Sequence, residues 1–292
     1  MGFVIIYHMS ILSDEVVQQY LSRIGFDSRP VPNEETLFKL QLAHMQIIPY
    51  DNMDVHMKRS IIVDDMDAII AKLITRKRGG YCYEQNQLFL HLLLALGYDA
   101  TLLHSRALMD LKPGQSRPMT HVIILVNLDT GRFIADVGGN IAGSPLPLLM
   151  DTDKPQDMQG EVHRIVKQTD FIFLHEHQLE DGQWTPLYVF NTHFVSEVQD
   201  CVMMNYWSQT HPTSRHPTNL IVSLYTDNGM KMIHNNFLSV RTGHQKPVKT
   251  VIPTSEDFLR LLIGEFGVPA QEIVGLVVPG TNWLPLNGLD GV

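Results

Sequence analysis

The sequence predicts an α+β fold, and the change of hydrophobic period along the chain is the main reason. In residues 1–97 apolar side chains recur every three or four positions, as in helices, whereas residues 98–205 alternate as in strands. Residues 206–292 combine strands with one clear helix. We therefore divide the 292 residues into a helical domain, a β-barrel domain and a C-terminal α/β domain at those boundaries.

The helices are predicted from their start and stop signals. Acidic residues after a capping side chain mark a start, and glycine or proline marks an end. In the first hundred residues these segments run from Ser13 to Gly25, from Asn33 to Pro49, from Asp67 to Arg76 and from Cys82 to Leu96, before Gly97. A last helix, SEDFLRLLIGEFG, is predicted with Ser255 as its cap.

The strands are predicted from alternating segments around polar turns. HVIILVNLDTGRFIADVGG forms one hairpin around Gly131, and FIFLHEHQLEDGQWTPLYVF forms another around Asp181 and Gly182. LIVSLY and MKMIHNNFLSV add strands near the carboxyl end. Strands with little helix between them favour a sheet or small barrel in the middle of the chain.

The composition narrows the classes of partner. A formal charge of −9 disfavours nucleic acid and anionic membranes, which bind basic surfaces. The start, MGFVIIYHMS, lacks the basic residues of an export signal, and the apolar run LFLHLLLALGY is too short to cross a bilayer. Two cysteines, Cys82 and Cys201, cannot form a disulfide framework. We expect a cytoplasmic protein with neither a nucleic-acid nor a membrane partner.

Cys82 follows a Gly-Gly pair and begins a predicted helix. The glycines allow a tight turn, and the unpaired N–H groups at a helix start stabilise an anion. A thiol in that place readily becomes a nucleophilic thiolate. A lone cysteine is more often a small buried hydrophobic residue, and Cys201 keeps that interpretation. Cys82 needs a base beside it to be catalytic.

His121 and Asp136 can supply that base and its partner. They lie at the start and the end of the first predicted hairpin, whose turn is near residues 129–131. An even-numbered loop would put both side chains on one face, with Cβ atoms about 5–8 Å apart, whereas an odd loop would separate them. A carboxylate on one ring nitrogen leaves the other nitrogen free to face a thiol. The joint pattern predicts a triad of Cys82, His121 and Asp136.

With these residues in place, the sequence resembles the arylamine N-acetyltransferase family. RGGYCYEQN matches the nucleophile motif of that family, and THVIILVNLDTGRFIADVG matches its His and Asp segments. HMQIIPYDN near the amino end and NYWSQTHPTSRHPTNLIVSL near the carboxyl end are also similar to family segments. The resemblance therefore covers nearly the whole chain.

The resemblance implies a fold and an activity. The core would be like that of papain-type proteases and transglutaminases, with the C-terminal domain as an α/β lid. Acetyl-CoA would serve as co-substrate, without a metal, in a ping-pong transfer to arylamines or arylhydrazines through an acetyl-cysteine. Cys82 would be the nucleophile and His121, held by Asp136, the acid and base.

The resemblance also implies binding residues and shows departures. Coenzyme A would contact Thr120, Trp207 and Thr213, and the acceptor amine would contact Tyr50, Gly138 and Gly139. Arg78 and Asp51 match a buried pair of the family, which we interpret as a structural brace. Two places depart from the family pattern. The family usually has an aromatic residue or serine followed by glycine where this chain has Gly139-Asn140. It commonly has phenylalanine where this chain has His216.

Three alternatives use the same residues differently. The triad could serve an amide synthase that closes a polyketide chain, or a papain-like peptidase or transglutaminase. The protein could instead be a binding module that has lost its chemistry.

Fourteen histidines also raise a metal hypothesis, centred on His175 and His177, but none forms a strong zinc spacing, so we expect no metal.

Overall fold

The computed structural model describes residues 12–109, 111–112, 114–139, 143–194, 196–243 and 245–287. The segment used above to predict the absence of an export signal lies outside the described residues, as does Asn140. Within the described ranges, none of the helices has the length and apolar character needed to span a bilayer.

Seven α-helices are found in the described residues, and they confirm the predicted helical segments. They are α1 (Asp14–Arg23), α2 (Glu34–Ile47), α3 (Met53–His56), α4 (Met66–Ile70), α5 (Cys82–Leu96), α6 (Val198–Thr210) and α7 (Ser255–Gly264). The segment predicted from Asp67 to Arg76 is α4 followed by a π-helical turn at Ala71–Thr75. A short 3₁₀ turn, Ala270–Glu272, follows α7.

The predicted capping residues mostly act as expected. Ser13 accepts a hydrogen bond from the Val16 N–H, and Asn33 accepts one from the Thr36 N–H at 2.9 Å. Gly97 ends α5 in the left-handed region, with φ at 96°. The prediction of Ser255 as the cap of α7 was wrong by one residue, because the Thr254 hydroxyl accepts from the Asp257 N–H and Ser255 is already helical.

An eight-stranded antiparallel sheet fills the middle of the chain, where the sequence predicted a barrel. Its order is β5-β4-β3-β2-β9-β8-β7-β6. The strands are β2 (Asp99–Ala107), β3 (His121–Leu128), β4 (Gly131–Ala135), β5 (Leu148–Leu149), β6 (Gln156–Met158), β7 (Glu161–Lys167), β8 (Ile172–Gln178) and β9 (Trp184–Asn191). The Gln156 side chain bonds to both backbone groups of Leu149 and so joins the two edge strands. The sheet is therefore a nearly closed barrel.

A second antiparallel sheet joins the helical region to the C-terminal region. Its order is β1-β10-β11-β12-β13. The strands are β1 (Tyr50–Asp51), β10 (Ile221–Thr226), β11 (Gly229–His234), β12 (Phe237–Thr242) and β13 (Val248–Val251). Because Tyr50 pairs with Ser223, a segment of the helical region is part of the C-terminal sheet. Together the helices and sheets confirm the predicted α+β fold.

Helix α6 is an element that the sequence analysis missed. Its buried face carries Cys201, Asn205 and Ser208 and is therefore largely polar, so the apolar periodicity of a helix is absent. Hydrogen bonds replace apolar contacts here, because the Tyr81 hydroxyl donates to Asn205 and the Tyr83 hydroxyl bonds to Ser208. The boundary predicted between residues 205 and 206 lies inside this helix, and the division into three domains stays a prediction.

Helix α5 is the centre of the hydrophobic core and carries Cys82 at its first position. Every residue of this helix except Leu94 is buried. It packs against β2 and β3 on one side and against α1 and α4 on the other. Burial all round fixes the helix in both position and rotation, and it therefore fixes the direction of the Cys82 side chain.

Candidate active site

The turn before Cys82 requires its two glycines. A β-carbon at Gly79 would lie 2.1 Å from the Pro49 carbonyl oxygen, and one at Gly80 would lie 2.8 Å from a Glu84 carboxylate oxygen. The Gln85 amide donates to the carbonyl oxygens of Gly80, at 2.6 Å, and Pro49, at 3.0 Å. The turn is therefore held tightly against the preceding chain where it enters α5.

A buried hydrogen-bond chain fixes the Gln85 amide itself. The Tyr20 hydroxyl donates to His44 Nδ1 at 2.5 Å, so that His44 Nε2 donates to Gln85 Oε1 at 2.8 Å. Burial lowers the pKa of His44 to about 3, with the hydrogen bond to Gln85 opposing the shift, and the ring is therefore neutral at physiological pH. A neutral ring has one donor and one acceptor, which determines the direction of the whole chain.

Buried charged side chains hold the start of α5 in place. Lys72 Nζ lies 2.5 Å from Asp54 Oδ2 and 2.7 Å from Glu84 Oε1, and the other Glu84 oxygen accepts from the Tyr81 N–H. Burial lowers the pKa of Lys72, but the charges of Glu84 and Asp54 outweigh it and raise the pKa overall. The ammonium group is therefore charged, and it holds Glu84 in the position that caps the helix.

The pair predicted as a brace, Arg78 and Asp51, is present in this same region. Arg78 Nη2 lies 3.2 Å from Asp51 Oδ1 and 3.3 Å from Asp54 Oδ1, and all three side chains are buried. Burial lowers the pKa of Arg78, but the surrounding carboxylates, Asp51 first, raise it overall. Neither Arg78 nor Asp51 lines the cavity beside Cys82, so the geometry supports a structural role for the pair.

The structure brings Cys82, His121 and Asp136 together. The β3–β4 hairpin pairs Leu128 with Gly131, so its loop has two residues and the even-loop geometry is the correct one. His121 Nε2 donates to Asp136 Oδ2 at 2.7 Å, which leaves Nδ1 for the thiol. Burial lowers the pKa of His121, but the charge and hydrogen bond of Asp136, followed by those of Cys82, raise it to about 10.

Asp136 is held in place by donors on its other oxygen. Oδ1 accepts from Asn86 Nδ2 at 2.8 Å and from the Gly138 N–H at 3.0 Å. Asn86 also donates to the Val122 carbonyl and accepts from the Val137 N–H, so it ties α5 to β3 and to the end of β4. Sequence reasoning assigned Asn86 no role, although it is the last residue of the motif RGGYCYEQN.

A small cavity of about 80 Å³ opens beside the three residues, and Cys82 and His121 line it. Four predicted binding residues also line it: Tyr50, Thr120, Gly138 and Gly139. Sequence reasoning missed six others: Ala107, Met109, Leu187, Tyr188, Arg215 and Ile221. A larger open cleft of about 1060 Å³ lies between α1 and residues 265–267, but neither Cys82 nor His121 reaches it.

Two predicted coenzyme contacts lie outside this cavity. Trp207 stacks on the ring of His211 with centroids 4.9 Å apart, and Thr213 is exposed and hydrogen-bonded to His211 Nδ1. Neither side chain lines the cavity beside Cys82. A role for them in binding coenzyme A remains a prediction, and it would have to be at a distance from the thiol.

The structure shows what surrounds Gly139 and His216, the two described residues at which the sequence departs from the family pattern. A β-carbon at Gly139 would lie 2.4 Å from Gly143 Cα, so this backbone has no room for a side chain there. His216 lines the cavity and packs edge-on against Tyr81, with ring centroids 5.4 Å apart. Burial lowers the pKa of His216 to about 3, with the Arg215 charge second, so this ring acts as a neutral aromatic group.

The remaining histidines near the site form ring contacts. His175 lies edge-on to Tyr188, whose ring in turn packs against His121, and His163 Nδ1 is 2.9 Å from His175 Nε2. Among the residues that the structure describes, no three or more His, Cys, Asp or Glu side chains are arranged to hold a metal ion. Cys201 is fully buried, and burial raises its pKa to about 12, which agrees with the interpretation of this thiol as a packing residue.

Comparison with known proteins agrees with the predicted fold and family. The N-acetyltransferase family profile matches residues 34–273. The arylamine N-acetyltransferase of Mycolicibacterium smegmatis is 29% identical over 263 residues, which cover 88% of this chain and 93% of that protein. A Salmonella typhimurium protein, arylamine N-acetyltransferase / N-hydroxyarylamine O-acetyltransferase, is 30% identical over 87% of this chain and 89% of that protein.

Solved structures give the same result. The M. smegmatis arylamine N-acetyltransferase superposes with a TM-score of 0.83 at 28% identity, over 90% of this chain and 95% of that one. The Mycobacterium marinum enzyme in complex with CoA superposes with a TM-score of 0.81 at 25% identity, over 88% and 94%. The chain therefore belongs to the arylamine N-acetyltransferase family.

Proposed function

We propose that this protein transfers the acetyl group of acetyl-CoA to aromatic amines or hydrazines through an acetyl-cysteine at Cys82. The single observation that carries this proposal is the contact of one partly buried imidazole with both the Cys82 thiol and the Asp136 carboxylate. Family membership and the CoA complex of the M. marinum relative support acetyl-CoA as the donor. Acceptor and donor bind in turn, because both must reach one sulfur in one small cavity.

The first half-reaction acetylates Cys82. The thiolate attacks the thioester carbonyl carbon, and the carbonyl electrons move onto oxygen. When the tetrahedral intermediate collapses, the carbon–sulfur bond to coenzyme A breaks and the departing sulfur takes the proton of the His121 imidazolium. One thioester replaces another, so the step is close to balanced in free energy. The raised pKa of His121, about 10, provides this proton at neutral pH.

The second half-reaction uses the same imidazole as a base. Acetylation removes the thiolate, whose charge is one of the causes that raise the His121 pKa, and the ring that has lost its proton is then neutral. The amine attacks the acetyl carbon, its proton goes to His121, and the Cys82 thiolate leaves. The product is the N-acetylated amine, and the thiolate and imidazolium are restored.

The start of α5 supplies donors for the oxyanion. Cys82 is the first helical residue, and within the described residues the Cys82 and Tyr83 N–H groups have no backbone acceptor outside the helix. N–H groups of this kind stabilise the negative oxygen of a tetrahedral intermediate, by up to several orders of magnitude in rate in other enzymes. The positive end of the helix dipole adds to this stabilisation.

The alternatives with the same triad fit the cavity less well. A cavity of about 80 Å³ has less room than the polyketide chain of an amide synthase or the peptide of a peptidase would need. A protein without chemistry would have no need to orient an imidazole between a thiol and a carboxylate. These observations favour acetyl transfer over the other three possibilities.

The test is intact-mass analysis after incubation with acetyl-CoA. We expect a gain of one acetyl group, located on Cys82 by peptide mapping and discharged when an aromatic amine is added. Cys82→Ala should gain no acetyl group, while Cys201→Ala, which removes the other thiol, should behave like the unmodified protein. Acetylation that persists in Cys82→Ala, or an acetyl-cysteine that water discharges as fast as any amine, would contradict the proposal.

A further inference from the structure

Gln41 is a buried side chain of α2 that joins two separate parts of the chain near the site. It is 1% exposed. Its Oε1 accepts from the Asp136 N–H at 3.0 Å, and its Nε2 donates to the Ser144 carbonyl oxygen at 2.9 Å. Because an N–H needs an acceptor and a carbonyl needs a donor, the two partners determine which way the amide points. Gln41 therefore links the backbone of Asp136 to α2.

The backbone of Asp136 leaves the barrel sheet at this point. β4 ends at Ala135, which pairs with Ile124 in β3, and among the described residues the pairing of these strands does not continue to Asp136. Asp136 is buried, and a buried N–H without a strand partner needs another acceptor. The Gln41 amide is that acceptor, and it therefore fixes the direction in which the chain leaves β4.

The second contact of Gln41 lies where the chain returns. A β-carbon at Gly139 would be 2.4 Å from Gly143 Cα, so the outgoing and returning backbones touch there. The Gly143 carbonyl accepts from the Tyr225 hydroxyl at 3.1 Å, and the next carbonyl, that of Ser144, accepts from Gln41. The returning chain is therefore anchored from β10 and from α2, and Gln41 ties it to Asp136.

We propose that Gln41 is a positioning residue, which holds the Asp136 backbone so that the carboxylate keeps its contact with His121. The inference rests on the proposed acetyl transfer and adds a residue to it. Gln41 is not among the described residues that line the cavity, so it acts through Asp136 and not on a substrate. Without the amide, the Asp136 N–H and the Ser144 carbonyl lose buried partners and can regain them only by a movement of the chain.

A purely structural role is the alternative. The two buried hydrogen bonds of Gln41 contribute to stability, and their loss would raise the unfolded fraction under either role. The two roles differ in the folded protein, at the His121 pKa. Burial lowers that pKa, and Asp136 is first among the groups that raise it. A carboxylate that moves away from the imidazole lowers the pKa, whereas a loss of stability alone does not.

The test is Gln41→Met, which has nearly the same volume but neither the donor nor the acceptor. The His121 pKa is measured by NMR in the Cys82→Ala background, and its signal is the one absent from Cys82→Ala/His121→Gln. We expect this pKa to fall by about 1, as for partial loss of a neighbouring opposite charge. With Cys82 intact, kcat should fall roughly 10- to 100-fold, since small displacements of reacting groups cost this much.

Gln87→Met is the matched control. Gln87, in α5, is also 1% exposed, but neither end of its amide has a hydrogen-bond partner in the described part of the chain. This variant should keep both kcat and the His121 pKa. Gln41→Asn has an amide that is one methylene too short to reach both partners. It should lie between the unmodified protein and Gln41→Met, and it takes the place of Gln41→Met if that variant does not fold.

An unchanged His121 pKa or an unchanged kcat in folded Gln41→Met would overturn the inference, whatever happens to its stability. An equal change in Gln87→Met would also overturn it, because the effect would then follow from the loss of any buried amide. The pKa comparison requires no acetyl transfer. If Cys82 of the unmodified protein is never acetylated, the proposed function fails, while the hold of Gln41 on Asp136 is still tested by the His121 pKa.

Discussion

Gly138 lies directly against the backbone of Cys82. A β-carbon at Gly138 would be 2.5 Å from Cys82 Cα and 2.9 Å from the Asn86 amide nitrogen. Its N–H also donates to Asp136, which follows β4, so one residue without a side chain contacts both the aspartate and the helix that carries the thiol. The distance between these two elements is therefore set by a glycine.

We predict that Gly138→Ala separates Cys82 from His121 and strongly reduces acetyl transfer. The added methyl group would collide with helix backbone, which cannot move as a flexible side chain can. We expect a loss of at least about 100-fold in kcat, since small displacements of reacting groups cost this much. Steady-state kinetics with an aromatic amine measure the effect.

The matched control is Gly264→Ala, in α7. A β-carbon there meets nothing within 4 Å, and the position is helical. The substitution should leave activity unchanged and stabilise the protein by up to about 1 kcal/mol. Full activity in Gly138→Ala would show that the close packing is not needed for the chemistry.

Asp136→Asn should reduce turnover by several orders of magnitude without unfolding the protein. The two carboxylate oxygens accept from His121, Asn86 and the Gly138 N–H. An amide has one oxygen for these three donors, and its NH₂ group would face a donor, so the imidazole loses its orientation. The measurement is kcat, together with circular dichroism to show that the fold is kept.

An exposed aspartate provides the comparison for that variant. Asp170→Asn removes the same charge at a surface site where the partner is Lys167. It should have the kinetics of the unmodified protein, because screened surface pairs contribute little. If Asp136→Asn keeps more than about a tenth of the activity, the carboxylate does not have the role of orienting His121 that we assign to it.

The relative position of His121 and Asp136 could be predicted from the sequence because the period of a strand is two. Once the loop between β3 and β4 has two residues, the face of every residue in the hairpin is determined. Cys82 at a helix start was predictable for a similar reason, because Gly79, Gly80 and Gly97 mark both ends of α5.

The cavity wall could not be predicted in the same way. Arg215, Leu187 and Met109 come from separate loops or strands, and only long-range packing brings them to Cys82. Helix α6 was missed because its buried face is polar, and polar contacts such as Asn205 with Tyr81 have no periodic signature. Local patterns therefore predicted the three residues that lie together, while the rest of the cavity wall depends on tertiary structure.

The raised pKa of His121 predicts a dependence of stability on pH. Its folded value is about 10, above the ordinary value of 6.5, and so the folded protein keeps a proton that the unfolded chain releases. The stabilisation is complete below about pH 6.5 and is lost as the pH rises toward 10. We expect the free energy of unfolding to fall across this window because of His121.

The comparison that isolates this effect is Cys82→Ala against Cys82→Ala/His121→Gln. Because neither variant contains the Cys82 thiol, the two differ only at His121. In both the presence and the absence of Cys82, Asp136 raises the pKa of His121. Without the charge and hydrogen bond of Cys82, the His121 pKa in the folded protein is below 10. Urea denaturation at steps from pH 6 to pH 10 gives the difference between the two variants. A difference that stays constant or grows with pH would mean that the folded imidazole does not hold its proton.

Lys72→Met should destabilise the protein strongly, although the residue has no direct part in the chemistry. The substitution removes the cation between Asp54 and Glu84, which are both buried. Of these two carboxylates, only Asp54 keeps an ion pair, with Arg78. An uncompensated buried charge typically costs about 3–5 kcal/mol. Lys39→Met removes a lysine from an exposed pair with Glu35 and should change the stability little, because solvent screens such a pair. Both values come from urea denaturation at neutral pH. A loss below about 1 kcal/mol in Lys72→Met would mean that Glu84 is neutral in the folded protein, since burial raises its pKa against the pull of Lys72.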